Sequence, residues 1–467
     1  MTIMRSRSKA RIGGLSAEYV FLIVALIFGA LFMTIIPPMT APDEIGHFAK
    51  SYAFSQGEII PYFLDSPVNL FKTWDEYGFN LPASILELNQ NSIGVGYNVA
   101  EKFNYASLDM TAYEKLNEVF VPLGGQLNYS FFQYLPQIIG ISISKLLVGS
   151  ILPIYYTARL FNFLSYVLLL FFAVRWTKFA KWGFVVLALN PMFLFLAVST
   201  SGDAFTNAVA FLFVAILSNI ISENILDKKK LYFSFGLMVA MVQMKPTLIM
   251  FGLLYFLIPN KIFTIRMKML YGSLILFSAL AIYYLWGKLF PSQDIMYMDF
   301  ANPSEQVKGI LKNPISFVTV IKNTIEEHGK FLLHSYAGQF GLLNRNISFL
   351  AVLLYYLLVI FAVFIREYNQ ITVTKRMRFV SLMFIVGYVL LTFIALYQIW
   401  SPVGHTVILG LQGRYFIPIG AFALLTIVPN RISLPRKFAI PTTIVGIVLF
   451  LCYVTIFLTL SYGFLSV

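Results

Sequence analysis

The feature that most constrains this chain is a series of long apolar runs separated by short basic clusters. Eleven stretches, roughly 17–36, 154–174, 182–198, 204–222, 231–244, 246–258, 269–288, 347–365, 379–400, 411–428 and 438–463, read as candidate membrane spans. A spanning helix needs about 20 apolar residues, because in hydrocarbon its backbone polar groups can bond only to one another. The pair 231–244 and 246–258 falls short of that length and is interrupted by Lys245-Pro246, which predicts a tight hairpin of short or broken helices. Charged residues make up 12% of the 467, hydrophobic residues 58%, and the mean hydropathy is +0.77. A soluble chain carries about 25% charged residues and disorder requires low hydrophobicity, so both classes are excluded. One cysteine and four scattered histidines exclude a disulfide scaffold, a paired-cysteine metal site and a His-rich tract. The chain reads as an all-α polytopic membrane protein with about 11 transmembrane helices, within a range of 10–13.

Lysine and arginine (34) exceed aspartate and glutamate (21), for a net charge of +13. Such an excess also marks nucleic-acid binders. Here the cations fall in clusters between apolar runs, as the positive-inside rule places them, and no nucleic-acid partner is expected. The stretch Phe131–Leu152 decides the topology. It contains Gln133, Gln137, Ser142, Ser144 and Lys145, and if it spanned, the basic loops would fall on contradictory sides. Laid along the membrane surface, it makes every cluster cytoplasmic: Arg5 to Arg11, Arg175 to Lys181, Lys228 to Lys230, Lys261 to Lys268, Arg366 to Arg378 and Arg431 to Lys437. That side then holds 20 of the 34 cations and only four of the 21 acids. Ala17–Ile36 is 20 residues long and no A-x-A cleavage site follows, so it reads as an uncleaved first span with its basic end in the cytoplasm.

The expected organisation is a cytoplasmic basic segment (1–16), a first span (17–36) and a long extracytoplasmic loop (37–153) with juxtamembrane helices. Spans two to seven (154–288), a second outer loop (289–346) and spans eight to eleven (347–467) follow. Loops of this length usually carry structure or function of their own. All four histidines, His47, His328, His334 and His405, land on the outer side, so chemistry is expected there.

Three outer-face segments could carry it. After the first span comes Pro37-Pro38-Met39-Thr40-Ala41-Pro42-Asp43-Glu44-Ile45-Gly46-His47-Phe48. Its prolines hold the chain extended and set Asp43 and Glu44 at the interface; a helix resuming after Pro42 would put Glu44 and His47 on one face. A carboxylate beside apolar walls becomes a better proton acceptor, although acids after proline also make an ordinary helix start favoured by the dipole. The second segment, Ser199 to Asp203, is a short outer turn where Asp203 is either a site acid or a turn and cap residue. The third is Gln412-Gly413-Arg414-Tyr415-Phe416-Ile417-Pro418. An arginine within a span costs about 2.5–3.5 kcal/mol at the centre, and its planar fork suits phosphate. Lys245 and Arg159 are similarly placed, and each of these cations could alternatively snorkel to lipid headgroups. No Walker A, GxGxxG, HExxH or GxSxG motif occurs, and no cytoplasmic loop is large enough for a nucleotide-sugar domain, so any donor must come from the membrane.

The segment PPMTAPDEIGHFAKSY resembles the P-x-D-E-x-x-H-F opening of a bacterial membrane-protein family of unknown function placed among the GT-C-type glycosyltransferases. Protein O-mannosyltransferases carry a similar Asp-Glu…His-Phe run. Further similarities are Tyr129–Pro136, Arg159-Leu160-x-Asn162, Pro191 to Asp203, Lys245-Pro246 and Gln412 to Pro418, together extending over about residues 20–430; residues of about 60–125 match nothing. The resemblance implies a GT-C-like bundle with in-plane helices in the first loop. It implies an integral-membrane transferase moving a sugar from a polyprenyl-phosphate donor to a cell-envelope glycan, glycolipid or protein acceptor, at the outer face of a bacterial plasma membrane. Asp43 would be the catalytic base, with Glu44 beside it in acceptor or metal contact and Asp203 a second acid. Lys245, Arg414 and Arg159 would hold the lipid phosphate, supported by His47, Gln412 and Tyr415. No cofactor is implied with certainty; some relatives use a divalent metal, for which Asp43, Glu44, His47 and Asp203 would be the ligands.

Three other readings compete. An oligosaccharide polymerase or ligase would centre on outer-loop arginines rather than on an Asp-Glu pair after span one. A transporter of lipid-linked sugars would show inverted repeats and midplane charges, and no internal repeat is found. A membrane scaffold would not need acids and cations on one face.

Overall fold

The computed structural model of the protein describes residues 16–64, 77–108, 117–123, 126, 129–223, 225–289 and 300–464. Arg5, Arg7, Lys9, Arg11, Asp294 and Asp299, which entered the charge reading, lie outside the described residues.

Helix α1 (Ala17–Ile35) is stopped by Pro37-Pro38 and leads through a non-helical segment into α2 (Glu44–Ser55). The first loop then folds on itself. Strands β1 (Tyr62–Phe63), β2 (Tyr77–Pro82) and β3 (Glu118–Pro122) form an antiparallel sheet in the order β1-β2-β3, with Phe79 opposite Val121 and Leu81 opposite Val119. Helix α3 (Ser84–Tyr97) lies between β2 and β3 in the chain. Phe79, Leu81 and Val121 point from the sheet into a shared core with Phe48, Tyr52, Ile85, Ile141 and Tyr155. The fold remains mostly helical, as expected, and this small sheet gives structure to part of the stretch that no motif explained.

A short 3₁₀ turn (Phe131–Tyr134) opens α4 (Leu135–Leu147), whose faces are reversed relative to a soluble helix. Gln137 and Ser144 are buried, while Ile139, Ile143, Leu146 and Leu147 are exposed. An apolar outer face of this kind suits contact with lipid.

The bundle proper begins with α5 (Ile151–Trp176) and continues through α6 (Lys181–Ala188), α7 (Pro191–Ala197) and α8 (Gly202–Ser222). Its next elements are α9 (Lys228–Met244), a 3₁₀ helix (Pro246–Leu257) and α10 (Ile265–Leu289). The second loop contributes α11 (Pro303–Lys312), α12 (Pro314–Ser335) and the hairpin β4 (Gln339–Phe340) to β5 (Arg345–Asn346). Helices α13 (Phe349–Val363), α14 (Lys375–Trp400), α15 (Ile417–Ile427) and α16 (Arg436–Tyr462) complete the fold.

Six of these helices, α1, α5, α8, α10, α14 and α16, are long and apolar enough to cross a membrane. The other five expected spans are shorter or broken. The run 182–198 divides at Asn190-Pro191, where Asn190 accepts a hydrogen bond from the Phe193 backbone and proline occupies the first turn of α7. Lys245-Pro246 separates α9 from the 12-residue 3₁₀ helix, as the hairpin reading expects. Helix α13 has 15 residues, and 411–428 splits into a 3₁₀ turn (Gly413–Phe416) and α15. Helix α8 is the most enclosed of the six, with 83% of its apolar window buried, so the turn at its start is held on all sides by protein.

One contact fixes the last site segment. The Gly413 N–H donates to Ser335 Oγ at 2.7 Å, and a Cβ at Gly413 would stand 2.1 Å from the Leu332 carbonyl oxygen. The end of α12 therefore approaches as only glycine allows. Gly413→Ala is expected to cost about 1–3 kcal/mol through overpacking, read as a lower thermal-unfolding midpoint of the solubilised protein; Gly236→Ala, where a Cβ meets nothing within 4 Å, is the matched control.

Candidate active site

The segment between α1 and α2 is built around a buried ion pair. Glu44 and Arg159 have fully buried side chains, with Arg159 Nε 3.1 Å from Glu44 Oε1 and Nη2 3.3 Å from Oε2. Glu44 also accepts from the Tyr155 hydroxyl (2.7 Å) and the Thr200 and Ala41 backbone N–H groups, each at 3.0 Å. Arg159 spends its remaining contacts on the carbonyls of Ile36 (3.0 Å) and Pro37 (2.9 Å), at the end of α1. The Tyr155 hydroxyl in turn accepts from the Met39 N–H at 2.9 Å. One carboxylate thus ties α2, α5, the end of α1 and the Ser199–Ser201 turn together. Of the expected site residues, Arg159 thus faces Glu44 and backbone carbonyls, and Glu44 accepts from Arg159, Tyr155 and two backbone N–H groups. The partner that sequence reading missed, Tyr155, lies one helical turn before Arg159 on the same face of α5, a spacing that could have revealed it.

On this frame Asp43 stands out. From Ile35 to Phe54 every residue is buried except Ile45, which is half-buried, and Asp43, which is exposed. Its backbone has φ 60°, in the left-handed region, and Met39 has φ 57°. Such a conformation costs most L-residues about 1–2 kcal/mol and is tolerated best by Asp, Asn and Gly. Asp43 occupies the N-cap position of α2, yet its side chain makes no capping bond. It reaches outward to Arg414, with Oδ2 3.0 Å from Nη2.

Arg414 joins the Asp43 and Asp203 segments. Its Nη1 lies 3.3 Å from Asp203 Oδ2, its Nη2 meets Asp43, and its Nε donates to Gln412 Oε1. Lys245 Nζ lies 2.6 Å from the other Asp203 oxygen. The Tyr415 ring is 5.3 Å from the Arg414 guanidinium and 5.4 Å from Lys245 Nζ, within cation–π range. The four charges alternate as acid, cation, acid, cation and sum to zero. Their side-chain exposure is graded: 50% for Asp43, 14% for Lys245, 7% for Asp203 and 2% for Arg414. A ligand therefore meets Asp43 first and Lys245 next. Each acid and cation arrives from a different break in regular structure: Asp203 from the capped start of α8, Lys245 from the extended residue before Pro246, and Arg414 from the 3₁₀ turn docked on α12.

His47 forms the inner wall. Its Nδ1 shares a 2.7 Å hydrogen bond with the Tyr134 hydroxyl and its ring stacks on Tyr129 at 6.1 Å. Burial lowers its pKa to about 4, against a weaker upward pull from Asp43 and Asp203, so it is neutral at pH 7. Lys50, one turn along α2, donates to the carbonyls of Gln126 and Tyr129 and holds this aromatic wall in place. Among the described residues no three His, Cys, Asp or Glu side chains converge as a metal site. Of the four candidate ligands, Glu44 is saturated by Arg159 and its neighbours, Asp203 lies between two cations, Asp43 faces Arg414 and His47 Nδ1 is bound to Tyr134.

Two outcomes follow. Glu44→Ala and Arg159→Met are each expected to lose about 3–5 kcal/mol, because each leaves a buried charge uncompensated, and the double variant Glu44→Leu/Arg159→Met should recover much of it in a thermal-unfolding cycle. Stable Arg159→Met with weakened anion binding would return Arg159 to phosphate recognition. For His47, the unfolded ring takes a proton below its ordinary pKa of 6.5 while the folded ring does not until about 4. Stability should therefore fall as pH drops from 6.5 toward 4, with a slope up to one proton steeper in wild type than in His47→Asn, measured by unfolding midpoints across that range.

No curated protein and no solved structure matches the chain. A family model described as "Predicted membrane protein (DUF2142)" matches residues 26–423, a span that includes every candidate site residue from Asp43 to Tyr415. The chain belongs to that membrane-protein family.

Proposed function

We propose that this protein is a GT-C-type glycosyltransferase that moves a sugar from a polyprenyl-phosphate donor to a cell-envelope acceptor on the outer face of the membrane. The observation that carries the reading is Asp43: one exposed carboxylate, strained and buried-framed, touching a guanidinium that is anchored from below. In the reaction the acceptor hydroxyl oxygen attacks the anomeric carbon while the carbon–phosphate oxygen bond breaks. The hydroxyl proton passes to Asp43, and the prenyl phosphate leaves with the bonding electron pair, inverting the centre. Lys245 and Arg414 stabilise the charge growing on the leaving phosphate.

The neutral quartet adds a condition. A donor phosphate competes with Asp43 for Arg414 Nη2, so donor binding would free the Asp43 carboxylate to face the acceptor hydroxyl. Arg414 stays anchored through Asp203 and Gln412 while it turns. Donor binding and release of the Asp43 carboxylate from Arg414 are thus coupled through one guanidinium.

The test uses protein in lipid nanodiscs, radiolabelled polyprenyl-phosphate sugars and a cell-envelope acceptor extract. Asp43→Asn should retain donor binding and lose transfer by about 10²–10⁴-fold, the usual worth of a general base. Arg414→Lys, which keeps charge but not the fork, should weaken donor binding as well as transfer. Unchanged transfer in Asp43→Asn moves the base to Asp203. Failure of the folded wild type to bind any donor favours the polymerase or transporter readings.

A further inference from the structure

A second feature lies away from the candidate active site. A half-open apolar groove of about 390 Å³ lies between α9, the 3₁₀ helix Pro246–Leu257 and α10, with Met238, Val242, Met250, Tyr255 and Leu276 in its wall. That volume is within the ~300–1,000 Å³ of small-ligand sites. The charged residue in this wall is Lys268, which is 2% exposed. Its ammonium donates to the Ile258 carbonyl and to Asn260 Oδ1 at 2.9 Å, and among the described residues no carboxylate pairs with it. Arg376 donates to the neighbouring Phe256 carbonyl at 3.0 Å, and Lys261 and Arg266 are exposed nearby in the chain. No Asp or Glu occurs between Asp227 and Asp294, and the acids nearest in the chain at this end, Glu223 and Asp227, are both paired with Lys230.

We propose that this groove binds one anionic phospholipid from the leaflet at the basic end of the bundle, with an acyl chain inside and the phosphate on Lys268. A buried cation without a counter-charge is costly, and an anionic headgroup supplies that charge where the chain does not. Helix α10 gives lipid access, since only 11% of its apolar window is buried. The site is separate from the catalytic quartet: Lys245 precedes Pro246 while Ile258 follows Leu257, so a 12-residue 3₁₀ helix lies between them, about 24 Å at ~2.0 Å per residue. The proposal stands whether or not the protein transfers sugar.

The probes are phosphatidylglycerol, phosphatidylcholine and polyprenyl phosphate added to delipidated wild-type protein, read by native mass spectrometry and thermal shift. Phosphatidylglycerol should bind at one copy and raise the unfolding midpoint more than phosphatidylcholine. Lys268→Gln keeps a donor for Ile258 and removes the charge; it should weaken phosphatidylglycerol by about tenfold, the worth of one charged hydrogen bond. Gly272→Phe tests the groove independently, since a Cβ there meets nothing within 4 Å and the replacement favours the helix; it should abolish the single tight copy. Equal binding of the two phospholipids, or phosphatidylglycerol binding unchanged in both variants, overturns the proposal. Displacement of phosphatidylglycerol by polyprenyl phosphate also overturns it, assigning the groove to a prenyl tail.

Discussion

The pair Glu44–Arg159 is the contact on which the candidate site depends. Two opposite charges taken wholly out of water gain little net energy from one another. Their value lies in what else they hold: Arg159 caps the carbonyls left open where α1 stops, and Glu44 receives the N–H groups of Ala41 and Thr200. The 37–43 segment has no regular hydrogen bonding of its own, so without this pair its polar backbone would be buried and unsatisfied. With it, an irregular stretch rich in proline becomes a rigid platform.

The same logic runs through the rest of this end of the molecule. Asn162 donates to the carbonyls of Leu196, Ser199 and Ser201, and Gln137 to that of Thr200, so the turn before α8 is fixed from α5 and from α4. Side-chain amides do here what strand pairing does elsewhere. Four chain breaks are thereby set against one another closely enough for Asp43, Arg414, Asp203 and Lys245 to form one chain of contacts.

Much of this was legible in the sequence. Hydropathy marked the bundle, and the polar residues of 131–152 marked a segment whose helix, α4, has 13 residues and buries Gln137 and Ser144. Asp43, Asp203, Lys245 and Arg414 were each singled out from local anomalies, a proline stop, a turn acid, a broken hairpin and a charge in an apolar run, and they meet in space. Three things were hidden. Arg159 was as anomalous as Arg414, but its partner lies 115 residues away and no local pattern distinguishes a cation facing a buried acid from one facing a ligand. The sheet of the first loop was hidden because β1 has two residues and β2 contains glycine and proline, too little for an alternating pattern. The division of 182–198 was hidden because both halves are uniformly apolar, and only Asn190-Pro191 betrays the break.

The left-handed backbone at Asp43 has a consequence for which residues this position can hold. Glutamate is the usual conservative exchange for aspartate, but at φ 60° it loses the tolerance that short polar side chains enjoy and adds a methylene to a contact already closed at 3.0 Å. Asparagine and glycine fit the backbone and lack the charge. The position is therefore filtered twice, by conformation and by chemistry, and aspartate is the residue that passes both filters.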